Sequence, residues 1–384
     1  MNQKEEKKTV ITFSLASFLN DLGSDMIYPV WPLFVKEVLK ANMSVLGLVD
    51  GLGDAIVSIS QAVSGYISDK IRKRKVFIWI GYLFGSLSRI GYAFSTLWQH
   101  LIPFRTLDRA GKMRGAPRDA IIADVSTKEN RGRNFGLLRA MDNLGAVCGI
   151  TICILFFKAL GYKRLFLLAA IPSLIGATLV FILIKERKLE RKLFKGLKLK
   201  DLDRNFKLFL LVSSLFALGS FSYSFLLIFA KEFGFKTISI PILYLIFTLF
   251  ASLSSLPFGN LADKIGRKSV LIISYTLWIL VCVCFIFSQS YWVVILAFIL
   301  YGLHKGALEP AQRSFVSELA PKEYRASGLG TFQMVTGLCA LPASFLAGVF
   351  WEEISIFSPL YFSIILTIFS LLILIFLRKE DRDE

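Results

Sequence analysis

The stretch GYISDKIRKRK at residues 65–75 returns as GNLADKIGRKS at residues 259–269, an offset of 194 positions from 65 to 259. The same offset aligns Asp124 with Glu318, in a second region that also agrees without a gap. Two gap-free agreements at an offset close to half of the 384 residues indicate an internal duplication. We therefore predict two related halves arranged as a parallel repeat.

The sequence around both copies is strongly apolar. Hydrophobic residues make up 55% of the chain, charged residues make up 19%, and the mean hydropathy is +0.60. A soluble domain carries about 25% charged residues, so this composition indicates a chain surrounded by lipid. Apolar stretches of about 20 residues, each long enough to cross a bilayer core of roughly 30 Å, begin near residues 10, 44, 76, 97, 133, 163, 207, 237, 269, 291, 327 and 356. We predict an all-α integral membrane protein with twelve transmembrane helices, six in each half.

The distribution of positive charge orients the predicted helices. Twenty-nine Lys and Arg residues lie in segments on the side of the N-terminus, and seven lie in segments on the opposite side. Because positively charged loops stay in the cytoplasm, we predict cytoplasmic termini and a multi-pass protein of the cell (inner or plasma) membrane. The net charge of +17 is spread over many short segments rather than over one face, which argues against a nucleic-acid partner.

A basic segment separates the two halves. We predict an N-terminal six-helix bundle over residues 1–184, a basic cytoplasmic linker over residues 185–206 and a C-terminal six-helix bundle over residues 207–384. Leu189 and Leu193 are four residues apart, as are Leu193 and Leu197. The segment is either a solvated linker or an amphipathic helix on the anionic inner leaflet, and the leucine spacing favours the helix.

Motifs of membrane enzymes and ATP-driven pumps are missing from this sequence. Its two His residues are isolated, so no HExxH zinc site can form, and neither GxSxG nor GxxxxGK[ST] occurs. The five Cys residues lie inside apolar stretches without CxxC spacing, which favours buried thiols over metal ligands. We predict that the protein is not an enzyme, binds no metal and needs no cofactor.

Ionisable residues inside the predicted spans are the main candidates for function, since each costs about 2.5–3.5 kcal/mol on translocon scales. Several share a helix face at i, i+3 or i+4 spacing, including Asp108 with its neighbours on the fourth span. The candidates for substrate binding or proton coupling are Asp21, Asp25, Asp54, Arg105, Arg109, Asp142 and Glu309. Depth estimates place Asp21 and Arg105 both near mid-membrane, where the two side chains can pair. Arg89 is expected to snorkel from the outer third of its span.

The repeated Gly-x-x-x-Asp-x-x-Gly-Arg-Lys pattern resembles the signature loop of the major facilitator superfamily. The segments at 18–34, 108–124 and 139–147 also resemble a bacterial branch of that superfamily. The N-terminal copy departs from the pattern at Arg72, where the second Gly usually stands. The resemblance covers essentially the whole chain and implies that family's fold of two six-helix bundles.

The resemblance also implies a conformational latch on the cytoplasmic side. In the family, the loop Asp lies near the N-terminus of a helix of the other half, and a loop Arg meets an acid at the inner end of the fourth helix. A carboxylate at a helix N-terminus is stabilised by the helix dipole. Carried over to this sequence, the latch residues are Gly65, Asp69, Arg74 and Asp124, repeated by Gly259, Asp263, Gly266, Arg267 and Glu318.

These features predict a secondary active transporter that moves a small organic solute by alternating access, by proton-coupled efflux. The basic cluster on the fourth span suggests an anionic or zwitterionic substrate. The alternatives are an uptake symporter for an organic anion, a lipid or lysolipid transporter and a non-transporting scaffold. The expected partners are the small-molecule substrate and membrane lipids, the expected coupling ion is H⁺, and the expected oligomeric state is a monomer.

Overall fold

The computed structural model describes residues 3–71, 73–126, 131–186, 203–319 and 325–376. Within these ranges every regular element is a helix, which confirms the all-α prediction. Residues 187–202 of the predicted linker lie outside the described residues, and so does Arg72.

Seven helices form the N-terminal part of the chain. They are α1 (Gln3–Ile27), α2 (Trp31–Leu33), α3 (Met43–Ile71), α4 (Lys75–Phe94), α5 (Leu101–Ala110), α6 (Gly115–Val125) and α7 (Arg131–Leu183). Another seven follow: α8 (Arg204–Gly219), α9 (Tyr223–Glu232), α10 (Ile240–Ile265), α11 (Arg267–Phe287), α12 (Tyr291–Leu319), α13 (Arg325–Glu353) and α14 (Ser358–Phe376). Of the described residues, nine segments are long and apolar enough to cross a membrane.

Two of the predicted spans, the fourth and the seventh, are interrupted, and the fifth is separated from the sixth, each where the sequence carries glycine or serine. Helix α7 is 53 residues long but leaves helical geometry at Gly161 (φ 63°, ψ −178°). Glycine adopts this positive φ without the steric cost of a side chain. A straight helix of that length would extend about 80 Å, far beyond a bilayer, so the break divides α7 into two spans. A 3₁₀ turn at Gly111–Arg114 separates α5 from α6, and Ser222 caps α9 just after α8 ends.

The chain forms two compact units. Unit 1 consists of Met1–Ala41, Leu52–Lys192 and Lys236–Ile242, and unit 2 contains the remaining residues. The first turns of α3 therefore belong to unit 2, while the rest of the helix belongs to unit 1.

Close packing in unit 1 depends on small residues of α7. A Cβ atom added at Gly145 or Gly149 would collide with the backbone of Phe18 or Leu22 on α1. Glycine thus lets the two helix backbones touch. Close approach at small residues is common between membrane helices, which associate through van der Waals packing because the lipid provides no hydrophobic driving force. Buried residues of α1, α4, α6 and α7, with Phe13 and Tyr82 among the largest, complete this core.

Unit 2 has an aromatic core around α8, α11 and α14. Phe216 stacks on Tyr275 with ring centroids 4.1 Å apart. The indole Nε1 of Trp278 donates a hydrogen bond of 2.7 Å to Ser363 Oγ, so its polar edge is satisfied inside the core.

Candidate functional site

A cluster of two arginines, one aspartate and two aromatic rings lies in unit 1. We call Tyr28, Trp31, Arg105, Asp108 and Arg109 the arginine–aromatic site. The Cζ atom of Arg105 lies 4.5 Å from the ring centroid of Trp31, and that of Arg109 lies 5.1 Å from the ring centroid of Tyr28. Asp108 Oδ2 lies between the cations, 3.6 Å from Arg109 Nε and 4.0 Å from Arg105 Nη1. Each guanidinium is therefore held both by a ring and by a carboxylate.

The local sequence explains how this site is assembled. Arg105, Asp108 and Arg109 are at i, i+3 and i+4 on α5 and so share one face of that helix. Trp31 is completely buried at the start of α2 and packs against Tyr92, with ring centroids 4.8 Å apart. The buried indole thus gives Arg105 a rigid support.

Glycine at position 53 gives the guanidiniums room. A Cβ atom at Gly53 of α3 would lie 3.1 Å from Arg105 Nε and 3.2 Å from Arg109 Nε. Contacts this short are tighter than a Cβ atom normally makes. Because glycine has no Cβ atom, the α3 backbone can lie close to both guanidiniums.

Arg89 does not snorkel, contrary to the prediction from sequence. It is only 2% exposed. Its guanidinium donates to Ala169 O (2.8 Å), Ser24 Oγ (2.8 Å) and Asn20 O (3.2 Å), and also to Ser173 Oγ. Carbonyl and hydroxyl oxygens of α1 and α7 replace water around the cation, so its head group has no need to reach the membrane surface.

The signal for Arg89 was present in the sequence but spread over distant segments. Asn20 and Ser24 are at i, i+4 spacing on α1, and Ser173 lies about 150 residues later on α7. Polar residues at one level of several helices indicate a common partner only after the helices have been placed side by side.

The network around Arg89 leads to Asp21. Asn20 Oδ1 accepts a hydrogen bond from Ser173 Oγ (3.1 Å), and Arg89 Nη2 lies 3.5 Å from the same oxygen. The amide nitrogen of Asn20 is thereby directed to Asp21, to whose Oδ1 it donates at 2.9 Å. The carboxylate of Asp21 thus has a fixed donor, which is itself held in place by a buried cation.

Asp142 of α7 is another candidate carboxylate from the sequence analysis. Its Oδ2 lies 3.3 Å from Arg139 Nη1, and its side chain is 14% exposed. Asp142 interacts electrostatically with Asp21 as well as with Arg118, Arg139 and Lys112. The two candidate carboxylates thus lie on α1 and α7, whose backbones touch at Gly145 and Gly149.

The expected pairing of Asp21 with Arg105 is not what the structure shows. Arg105 lies beside Asp108, and Asp21 accepts a hydrogen bond from Asn20. Depth along a helix can be estimated from residue count, but the direction in which a side chain points depends on helix rotation, which the count does not contain.

Three further sequence candidates differ in their exposure. Asp25 of α1 is half-buried, whereas Asp54 of α3 and Glu309 of α12 are exposed. Glu309 belongs to unit 2, as does Lys305, whose Nζ lies 5.6 Å from the ring centroid of Tyr301.

Unit 2 contains a polar cluster that was not among the sequence candidates. Asp50 is 2% exposed and accepts hydrogen bonds from Ser222 Oγ (2.8 Å) and Ser224 Oγ (2.5 Å). The backbone N–H of Ser222 donates to Ser344 Oγ at 3.2 Å. We call Asp50, Ser222, Ser224 and Ser344 the serine clasp. The only local sign of this cluster in the sequence was the run of closely spaced serines around Ser222 and Ser224.

The residues implied by the signature loop form ion pairs in both halves. Arg74 Nη1 lies 2.6 Å from Asp124 Oδ2. In the second half, Arg267 Nε lies 2.9 Å from Glu318 Oε1, and its Nη2 lies 2.9 Å from Asp263 Oδ1. Each repeat thus joins a loop arginine to the acid at the equivalent position.

The glycines of this motif differ in their backbone requirements. Gly266 has a φ of 91°, a backbone conformation that glycine adopts without steric cost and that other residues rarely adopt. At Gly65 a Cβ would lie 3.5 Å from Ala116, and at Gly259 it would meet nothing within 4 Å. The side chain of Asp69 lies outside the described residues. No group of three or more potential metal ligands occurs in the part of the chain that the structure describes.

The chain is similar to known transporters over its whole length. The model of the Major Facilitator Superfamily matches residues 13–251 and 208–384. An uncharacterised MFS-type transporter of Methanocaldococcus jannaschii is 39% identical over 383 residues, covering 97% of this chain and 96% of the relative. The quinolone resistance protein NorA of Staphylococcus aureus is 23% identical over 385 residues, covering 98% and 97% of the two chains.

Solved structures share the fold at low sequence identity. The nucleoside transporter NupG has a TM-score of 0.77 at 18% identity, with 98% of both chains covered. The human organic anion transporter MFSD10 has a TM-score of 0.68 at 15% identity, with 96% of this chain and 99% of that chain covered. These structures show a shared fold, and the family model and the archaeal relative show that the chain belongs to the major facilitator superfamily, whose members are membrane transporters and not enzymes.

Proposed function

We propose that this chain is a proton-coupled secondary transporter that exports a small organic solute by alternating access. The observation that carries the proposal is the presence of two carboxylates, Asp21 and Asp142, on α1 and α7, two helices of a membrane protein whose backbones touch. Ionisable groups at such positions are costly, and functional sites are where membrane proteins retain them. Similarity to NorA, a quinolone resistance protein, supports export as the direction.

The two carboxylates supply a chemical basis for proton coupling. Repulsion between Asp21 and Asp142 is relieved when one of them binds a proton. Arg139 lies beside Asp142 and Asn20 lies beside Asp21, so each carboxylate also has a partner that favours its charged form. Alternating access changes which side of the membrane this pair can exchange protons with, so the proton is bound on one side and released on the other.

The signature-loop ion pairs have a separate role in this proposal. Arg74 with Asp124 and Arg267 with Glu318 are partly exposed, so each pair contributes modestly, about 0.2–1 kcal/mol. Contributions of this size suit a latch that must form and break in each transport cycle. The transporter then works as a monomer in the cell membrane, with lipid around it.

Transport by reconstituted protein tests the proposal. Purified protein in liposomes is given an imposed pH gradient, and the gradient-driven accumulation of a quinolone and of a nucleoside is measured with and without a protonophore. We expect accumulation that the protonophore abolishes. The variants Asp21→Asn and Asp142→Asn should lose gradient-driven accumulation but retain exchange of labelled for unlabelled solute.

Glu353→Gln is the matched control, because Glu353 is an exposed carboxylate at the end of α13. It should transport like the unmodified protein. Gradient-driven accumulation that survives in both aspartate variants would disprove the coupling role of this pair.

A further inference from the structure

We propose that the arginine–aromatic site binds the anionic group of an organic anion with a flat or apolar body, and that this is the substrate class of the transporter. The inference rests on the proposed transport function and adds the chemistry of its ligand. Four observations carry it: the supported guanidiniums, the local excess of cations, the glycine beside them and the difference in exposure between the two arginines.

The guanidiniums are held in a geometry suited to anions. A guanidinium stacked on a ring uses its face for the ring and has its N–H donors in its own plane. Arg105 and Arg109 both lie over rings, on Trp31 and Tyr28. The rings therefore restrict the side-chain freedom of both arginines, which lowers the entropy lost when a carboxylate, sulfonate or phosphate ester binds.

The charge around Asp108 favours an anion over a cation. Arg109, Arg105, Arg89 and Lys112 all act on this one carboxylate. Arg89 also interacts with Asp21 and with a further cation, Arg114. A cationic ligand would meet this positive charge, and one face of each ring already carries a guanidinium. An anion gains from the same field, which is strengthened by the low dielectric of the interior.

Exposure and space indicate where the ligand enters. Arg105 is 2% exposed, whereas the side chain of Arg109 is 11% exposed and Tyr28 is half-buried. The α3 backbone at Gly53 packs against both arginines, so the ligand does not enter from that side. We infer that Arg109 contacts the anionic group directly and that Tyr28 meets the apolar body. Arg105 and Trp31 form the fixed base, with Asp108 holding Arg109 in position.

Binding of a matched series of probes tests this inference without any proton gradient. Purified protein in detergent is titrated with naphthalene-2-sulfonate, its neutral sulfonamide and the cationic 2-(aminomethyl)naphthalene, and binding is followed by tryptophan fluorescence and thermal stabilisation. We expect the sulfonate to bind at least tenfold more tightly than the other two. Octane-1-sulfonate, with octylamine as its cationic partner, extends the test to a flexible apolar body.

Arg109→Gln should lower the affinity for the sulfonates at least tenfold, and Arg109→Lys should lose less because it keeps the charge without the planar fork. Arg313→Gln is the control, since Arg313 is an exposed arginine of unit 2. Equal binding of the neutral or cationic probes overturns the inference. So does unchanged sulfonate binding by a folded Arg109→Gln protein, or the failure of both sulfonates to bind.

The two proposals fail in distinguishable ways. Selective binding of the sulfonates without gradient-driven transport of a sulfonate that binds supports the substrate class and disproves proton coupling. Gradient-driven quinolone transport that is unchanged in Arg109→Gln, in a protein without preference for the sulfonates, supports coupling and disproves the substrate class.

Discussion

Arg89 offers the sharpest test of the structure. Four acceptors on α1 and α7 surround its guanidinium: two backbone carbonyls and two serine hydroxyls. In Arg89→Lys the charge remains, but an ammonium is a point donor and cannot span acceptors on two helices. We expect at least two of the four hydrogen bonds to be lost.

The magnitude follows from the number of lost bonds. A hydrogen bond to a charged group contributes about 1.5–3 kcal/mol, so the loss of two lowers the free energy of unfolding by about 3 kcal/mol. This corresponds to a change of roughly 100-fold in the unfolding equilibrium. Unfolding of the purified protein by denaturant in mixed micelles, followed by tryptophan fluorescence and circular dichroism, measures the difference.

Arg139→Lys is the matched control because the Arg139 side chain is 55% exposed. Its substitution should change the free energy of unfolding by less than about 1 kcal/mol, as expected for exposed ion pairs. If Arg89→Lys and Arg139→Lys prove equally stable, the buried network around Arg89 does not exist as described. A shifted pH dependence of transport in Arg89→Lys would further show that the network extends to Asp21 through Asn20.

Three further predictions concern packing and charge elsewhere. Gly149→Ala should destabilise the protein by about 1–3 kcal/mol in the same unfolding assay through overpacking against α1, whereas Gly259→Ala, with open space around it, should be neutral or stabilising by about 0.5–1 kcal/mol. Asp50→Ala should cost about 2–4 kcal/mol because two serine hydroxyls, the buried one of Ser224 and the half-buried one of Ser222, lose their acceptor, and a loss below 1 kcal/mol would contradict the serine clasp. A double-mutant cycle on Arg267 and Glu318 should give a coupling of about 0.2–1 kcal/mol that declines with added salt, and a coupling insensitive to salt would contradict an exposed ion pair.

Part of the candidate site could be read from spacing along one helix. Arg105, Asp108 and Arg109 share a face of α5 because helical periodicity places i, i+3 and i+4 together, whatever the rest of the fold does. The ion pair of Arg74 with Asp124 was anticipated in a different way, since the repeat and the family resemblance together named both residues. In both cases the information was local or was duplicated along the chain.

The duplication, the helical class, the membrane environment and the family can all be inferred from the chain alone, because composition, apolar length and a repeated loop do not depend on how the helices pack. The packing of the helices decides that Arg89 is buried, that Arg105 lies on Trp31 and that Asp50 accepts hydrogen bonds from two serines. Those outcomes depend on how each helix is rotated and which neighbour it meets. A lipid-facing and a protein-facing surface can be similarly apolar, so hydropathy locates a membrane helix but does not set its rotation.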